Sequence, residues 1–516
     1  MESSSTSTSV CHKGKLSMCQ KLSYGVGHFL NDLCASMWFT YLLIYLHKVI
    51  NFSNSMAGNL MLLGQIADGI CTPFIGYESD RTKGIGKYGK RKTWHLIGTI
   101  CVACTFAFLF NQCITCSGAA DWAKFIYYAP FVVIFQFGWA STQISHLSLI
   151  PHLTPDEHDR VELNAIRYSF TVIANLVVFG LTWVLLDVHN TSSGELSVQD
   201  APRFRDIAFI VVGIGIVFSI IFHVGTREKD HACDSNDNVE STLSFSSSTT
   251  RPRKMKWKCW FKEPQFYIVG LIYMCTRLIV NMSQVYLPMY LQDTLGLKKD
   301  YIAIIPLVVY ISGFLTTFLM KIINKLIGKK PTYFIGLIFV AGGCVWMWFI
   351  ATKHLQLQVI GAAICLGIGG TTILVTSLSM TADLIACSLE NSAFVYGAMS
   401  FLDKVSNGLA VFAVQQLHPC QHCCVRCEWY YRDVMVFGIG GAVIAGIIGL
   451  LLILPQKIGT RTERKSAKLQ CVPPGDSCIQ SRAPLLNGEV HPDGYGTLAE
   501  CSNISTVHAD VHAVQT

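Results

Sequence analysis

Long apolar runs recur along the whole chain, and no other feature limits its fold as much. Each is about 20 residues long or longer, the length a helix needs to cross a ~30 Å hydrocarbon layer. They lie near 22–46, 56–78, 93–111, 124–150, 163–188 and 206–226, and after a polar stretch near 265–291, 300–324, 331–351, 355–380, 393–418 and 432–454. Backbone in lipid must satisfy its own hydrogen bonds, so such runs read as helices. The expectation is an all-α polytopic membrane protein with twelve transmembrane helices in two six-helix halves. Only 14% of the 516 residues are charged and 51% are hydrophobic, where a soluble domain carries roughly 25% charged residues. The net charge of +7 then calls for a membrane explanation and not a nucleic-acid partner.

An even number of spans puts both chain ends on one side. That side holds 28 of the 40 Lys and Arg residues and the opposite side 9, so the positive-inside rule makes both termini cytoplasmic. The sequon Asn190-Thr191-Ser192 follows span five on the non-cytoplasmic side, where glycosylation of Asn190 is expected. Residues 1–21 form a Ser/Thr-rich tail with no apolar segment followed by a small-residue cleavage site, so no cleaved signal peptide is expected. The two halves cover 22–226 and 265–454. Between them, 227–264 carries a Ser/Thr run and the basic cluster Arg251 to Lys258. It reads as a linker whose basic part rests on anionic lipid headgroups, or as a merely solvated loop. A polar, Gly/Pro/Ser-rich cytoplasmic tail takes 455–516.

Three cations fall inside spans, Arg167, Arg277 and Lys404, and three acids accompany them, Asp32, Asp68 and Asp403. Each costs roughly 2.5 to 3.5 kcal/mol at a helix centre, so all are expected to pair or to line one hydrated cavity. Arg277 and Asp403 are expected to pair there. His28 precedes Asp32 by one helical turn, so the two share a face and could share a proton, unless His28 is simply packed and neutral. Gln143 and His146 share a face of span four. The plainer alternative throughout is interhelical ion pairs and hydrogen bonds without a cargo role.

Beginning at Lys21-Leu22-Ser23-Tyr24-Gly25-Val26-Gly27, with Asp32 following, the sequence closely resembles melibiose-carrier-like sugar and cation symporters, a branch of the major facilitator superfamily. Asp68-x-x-x-Thr72-Pro73-x-x-Gly76 resembles that branch's helix-two cation motif. Asp80-Arg81 to Gly89-Lys90-Arg91-Lys92 resembles the superfamily's gating loop, and Ala382-Asp383 the start of the motif after helix ten. Arg167 and Lys404 fall where the branch keeps an arginine and a lysine. The resemblance implies the major facilitator fold, alternating access, a gate at Asp80 and Arg81, and coupling at Asp68 with His28. Two departures stand out. Thr72 replaces a second helix-two aspartate, which leaves one carboxylate, Asp68, better suited to a proton than to sodium. Gln143 replaces the sugar-coordinating aspartate of helix four.

Longer strings, residues 27–38, 136–146 and 400–405, resemble an animal branch of the same superfamily. That resemblance implies a transporter importing cysteine into lysosomes and melanosomes, supporting melanin synthesis and lysosomal cystine supply. A free amino acid is a zwitterion, so Asp32 with Arg167 or Lys404, beside Gln143, could pair its two charges separately. The competing expectations are a cation-coupled sugar or glycoside symporter and a non-transporting receptor or scaffold.

Cys113-x-x-Cys116 and Cys420-x-x-Cys423-Cys424-x-x-Cys427 occupy non-cytoplasmic loops. They are expected to form disulfides, with a zinc site beside His418 and His422 the alternative. In the tail, Gly494-Tyr495-Gly496-Thr497-Leu498 resembles a tyrosine-based lysosomal sorting signal, with Tyr495 and Leu498 read by a clathrin adaptor. No nucleotide-binding glycine loop, nucleophile elbow or metalloprotease motif occurs, so neither enzymatic activity nor a cofactor or metal is expected.

Overall fold

The computed structural model describes residues 16–82, 84–113, 118–154, 157–187, 196–228, 257–353, 358–385, 392–420 and 427–459. Among them run twelve long helices: α1 (Met18–Val49), α2 (Asn54–Arg81), α3 (Lys90–Leu109), α4 (Asp121–Leu153), α5 (Glu157–Asp187), α6 (Ala201–Gly225), α7 (Pro264–Thr294), α8 (Tyr301–Ile327), α9 (Lys329–Lys353), α10 (Val359–Ile385), α11 (Ser392–Gln416) and α12 (Glu428–Ile453). Eleven are long and apolar enough to cross a membrane. The twelfth, α11, is long enough but carries Asp403, Lys404, Asn407 and Gln415. It packs on α2 and α7, and these four residues are buried.

Several helices continue past their apolar runs because polar partners catch the ends. Ser17 and Gln20 form a capping box at the start of α1. Lys21, placed in the tail by hydropathy, is buried in the first turns of α1, with Nζ 2.7 Å from Asp159 and 2.5 Å from Glu162 on the polar start of α5. Asp80 and Arg81 belong to the last turn of α2 and not to the loop beyond it.

Packing repeats between the halves. In the first, α1 packs on α5 and α6, and α4 on α2 and α3; in the second, α7 packs on α11 and α12, and α10 on α8 and α9. Across the halves α2 meets α11, α5 meets α8, and α1 meets α7. The repeat is written into α1 and α7 themselves. Met37-x-x-x-Tyr41-Leu42-x-x-Tyr45-Leu46 and Met282-x-x-x-Tyr286-Leu287-x-x-Tyr290-Leu291 are the same pattern. Both helices end in a π-helical turn, Tyr45–Val49 and Tyr290–Thr294. The same bonds recur around each: Phe52 N–H donates to the Leu46 carbonyl at 2.9 Å, and Leu297 N–H to Leu291 at 3.0 Å. His47 Nδ1 lies 3.1 Å from the Phe52 carbonyl, and Gln292 Nε2 donates to Leu297 at 3.0 Å.

These turns lie on the face opposite the chain termini, and polar bonds join the halves there. Lys48 pairs with Asp293. Lys299, buried, pairs with Asp200 at 3.1 Å, and Leu196 N–H donates to Gln292 at 2.9 Å. Asn54 donates to the Cys420 carbonyl at 2.7 Å, and Ser55 to Gln416 at 2.9 Å. On the terminal face, the bonds of Lys21 to Asp159, of Lys329 to Asp383 at 2.7 Å and of Lys330 to the α12 carbonyl of Ile453 at 2.9 Å each run within a half.

Candidate functional site

Between the halves lies a cavity of about 140 Å³. Ser36 and Phe39 of α1 and Tyr168, Thr171 and Asn175 of α5 form one wall; Arg277, Asn281 and Gln284 of α7, Tyr310 of α8 and Thr371 of α10 form the other. Gln284 donates to Thr40 at 3.0 Å and so ties the walls together. Arg277 puts a permanent charge in this lining. Its Nε donates to Asp403 Oδ2 at 2.9 Å, while Asp403 Oδ1 accepts from Asn407 at 2.6 Å and Asn281 at 3.3 Å. A buried ion pair offsets its desolvation only when its remaining lone pairs are satisfied, and the two asparagines do that.

Asp32 stands one residue behind the facing wall. Thr171 lines the cavity and donates to Asp32 Oδ2 at 2.9 Å, and His28 Nδ1 lies 2.5 Å from Oδ1, so the one-turn spacing brings the two side chains together. Both are buried. Lys404 points elsewhere. It pairs with Asp68 at 2.6 Å and donates to Thr72 at 2.9 Å, while Thr72 donates to Asp68 at 3.1 Å. Asp68 and Lys404 thus bridge α2 and α11 and line a second, smaller cavity with Gln65, Gln136 and Trp139. Gln143 accepts from Trp139 Nε1 at 3.0 Å. Arg167 is buried in α5, facing Tyr24 and His146, and its carbonyl accepts from Thr171 at 3.4 Å.

Of the four residues Asp32, Gln143, Arg167 and Lys404, Lys404 lines the smaller cavity, and the other three are buried in the first half and line neither of the two. Arg81 at the end of α2 is exposed, hydrogen-bonded to Tyr77 and stacked 4.9 Å over its ring; the Asp80 side chain lies outside the described set. Asn190, Tyr495 and Leu498 lie outside the described residues, as do Cys116, His422, Cys423 and Cys424. In the loop before α12, Cys420 and Cys427 are joined by a disulfide, and Cys113 is disulfide-bonded too. His95 on α3 and His223 on α6 are absent from the residues singled out by sequence, and the fold brings them to His146 and His28. Their signal is present in the chain: each is an ionisable residue inside an apolar run.

A family model described as "MFS/sugar transport protein" matches residues 23–417. The chain is 52% identical over 461 residues to "Major facilitator superfamily domain-containing protein 12" of Homo sapiens, covering 86% of this chain and 95% of that protein. It is 24% identical over 385 residues to the "Isoprimeverose transporter" of Lactiplantibacillus pentosus, covering 74% of each. Among solved structures it resembles a D-xylose-proton symporter with a TM-score of 0.63 at 14% identity, covering 86% of this chain and 98% of the other. At that identity the likeness speaks to the fold.

Proposed function

The chain belongs to the MFS/sugar transport protein family and is a multi-pass membrane transporter of the major facilitator superfamily; on that premise we propose that its cargo is cysteine, imported into lysosomes and melanosomes by alternating access. The observation that carries this reading is the pair of opposite charges set on the two walls of the cavity. Arg277 lies in one wall, and Asp32 stands behind Thr171 of the other. A zwitterionic amino acid has one group for each: its carboxylate faces the guanidinium, and its ammonium faces Thr171 and the carboxylate behind it. Arg277 takes the role first expected of Lys404 or Arg167, because it lines this cavity, whereas Lys404 lines the smaller one and Arg167 lines neither. Rocking of one half against the other, with the seal at Lys48 and Asp293 broken and re-formed, would expose this cavity to each face in turn.

The positive-inside count supports cytoplasmic termini, so the sealed face is lumenal. Organelle placement rests on the resemblance to the animal branch and on Tyr495 and Leu498 as a clathrin-adaptor signal. Delivered cysteine would then supply melanin synthesis and the lysosomal cystine pool.

A second reading, a cation-coupled sugar or glycoside symporter, is favoured by the neutral hydrogen-bonding groups Ser36, Asn175, Asn281, Gln284 and Thr371 in the same lining. Uptake of labelled cysteine into proteoliposomes of the full chain separates the two. Unlabelled cysteine should compete, whereas its methyl ester and 3-mercaptopropionate, each lacking one charge, should compete at least about tenfold more weakly. Equal competition by the ester would remove Arg277 as a carboxylate site. Uptake of a disaccharide in place of cysteine would establish the second reading.

A further inference from the structure

Four histidines from four helices form a file between Asp32 and the terminal face. His28 is on α1, His146 on α4, His95 on α3 and His223 on α6; the first three are fully buried and His223 half-buried. The rings of His28 and His146 are 5.9 Å apart, those of His146 and His95 5.9 Å, and those of His95 and His223 4.9 Å. Beyond His223, the Tyr88 hydroxyl lies 2.5 Å from Nδ1, and Tyr88 is half-buried in the short loop between α2 and α3.

Hydrogen-bond partners fix where the ring protons are when the imidazoles are neutral. A carbonyl oxygen only accepts, so His95 Nε2, 2.9 Å from the Gly27 carbonyl, carries its proton. His95 Nδ1 is then an acceptor and takes the His223 Nε2 proton at 3.2 Å. His223 Nδ1 in turn accepts from Tyr88. By the same reasoning His146 Nε2 donates to the Tyr24 carbonyl at 2.8 Å, which leaves its Nδ1 a bare acceptor, buried and without a hydrogen-bond partner among the described residues. Close approach of α1 makes this possible: a Cβ on Gly27 would come within 2.7 Å of His146 and 2.5 Å of Phe222.

We propose that Tyr88, His223, His95, His146 and His28 form a proton path that equilibrates Asp32 with water at the terminal face, apart from the cargo cavity. A proton arriving at the Tyr88 oxygen displaces the hydroxyl proton to His223 Nδ1, and the Nε2 proton of His223 passes to His95 Nδ1. The imidazolium at His95 hands its excess proton to the bare Nδ1 of His146, across a gap that ring rotation or one water spans. From His146 it reaches His28 and Asp32. One proton enters, one is delivered, and the reverse order releases it. Three charged groups face the file: Lys92 of α3 beside His95 and His223, Arg167 of α5 beside His146, and Asp32 of α1 beside His28.

Trp139 gives a local reporter, its ring standing edge-on to His28 at 6.3 Å, and an imidazolium beside an indole quenches its fluorescence. Stopped-flow jumps from about pH 7.5 to about pH 5.5 on the full chain in nanodiscs, minus the signal of Trp139→Phe, follow protonation at His28. His95→Gln and His223→Gln should each slow the change about tenfold or more while keeping its final amplitude. Glutamine keeps an N–H for the Gly27 carbonyl but cannot relay a proton, and unchanged melting of the variants would exclude misfolding as the cause. His152→Gln, outside the file, should leave the rate unchanged. Rates in both file variants within about twofold of the parent, or no Trp139-dependent change at all, would overturn the path. Because no cargo is added, a failure of cysteine transport leaves this result readable.

Discussion

Helices α1 and α7 occupy equivalent places in the two halves, share the Met-x-x-x-Tyr-Leu-x-x-Tyr-Leu pattern and end in matching π-helical turns, yet their charges are inverted. When the two patterns are aligned, Asp32 falls opposite Arg277 and Lys48 opposite Asp293. Duplicated geometry therefore carries complementary chemistry. In α7 the guanidinium is permanently charged and is neutralised by Asp403, with Asn281 and Asn407 completing the shell. In α1 the acid has a titratable partner, His28, and a neutral one, Thr171. One side of the cavity is fixed in charge. The other joins a carboxyl to an imidazole, and neither partner is permanently charged.

The largest expected effect breaks the fixed side. Asp403→Asn leaves the Arg277 guanidinium, which cannot neutralise, buried and unpaired, a loss of about 3 to 5 kcal/mol. Expression and melting temperature of the purified protein should fall sharply. Arg277→Gln with Asp403→Asn should recover folding but not cysteine uptake. Asp32→Asn should be far milder in stability, because His28 can go neutral, while uptake is still lost. Equal destabilisation by Asp403→Asn, which strands a guanidinium, and Asp32→Asn, which leaves an imidazole, would contradict the distinction between fixed and titratable sides.

Hydropathy makes the spans and their order legible, because apolar length is a property of the chain itself. What the lipid-facing pattern does not give is the direction in which each polar residue points. Asp403 and Lys404 are neighbours, but about 100° of helical turn between them sends one to α7 and the other to α2. Depth is readable from position in the span and azimuth is not, which is why Lys404 looks as fit for the cargo as Arg277 on sequence alone. His28 and Asp32 are legible as a pair because a one-turn spacing fixes both. His95 and His223 lie 128 residues apart, on α3 and α6, and only the packing of those helices brings them to 3.2 Å.

The paired π-helical turns sharpen the comparison at the sealed face. Lys48 and Asp293 are equivalent in the repeat and bond to each other across the halves. Lys48→Asp or Asp293→Lys places like charges in that contact and should favour the state open at this face. The double exchange should restore the parent balance. Alkylation rates of a cysteine introduced at Ser36, which lines the cavity, report the opening: several-fold faster from the sealed face in each single variant, near parent in the double. Because Lys48 is partly exposed, solvent screens the pair, and the change should be smaller than that at Arg277.

The smallest effect concerns His418, beside the same seal, where its ring packs on Tyr430 and Tyr431 and its Nδ1 lies 2.6 Å from the Cys420 carbonyl. That carbonyl also accepts from Asn54, and Tyr431 donates to Asn54 at 3.3 Å, so the loop touches the first half through groups that surround His418. Burial pushes the imidazole below its usual range; the Cys420 carbonyl opposes this and the Lys48 ammonium adds to it. The sign follows from proton binding. With its value depressed in the closed state, His418 binds a proton more readily once the loop opens, so closure is strongest above the ordinary histidine value near 6.5 and weakens as pH falls below it. Hydrogen exchange of residues 427–431, corrected for intrinsic rates, should therefore quicken about twofold to fivefold between pH 7 and pH 5.5. His418→Gln should abolish that dependence while the Cys420–Cys427 disulfide stays intact. An equal acid response in the variant would rule out His418 as the titrating group.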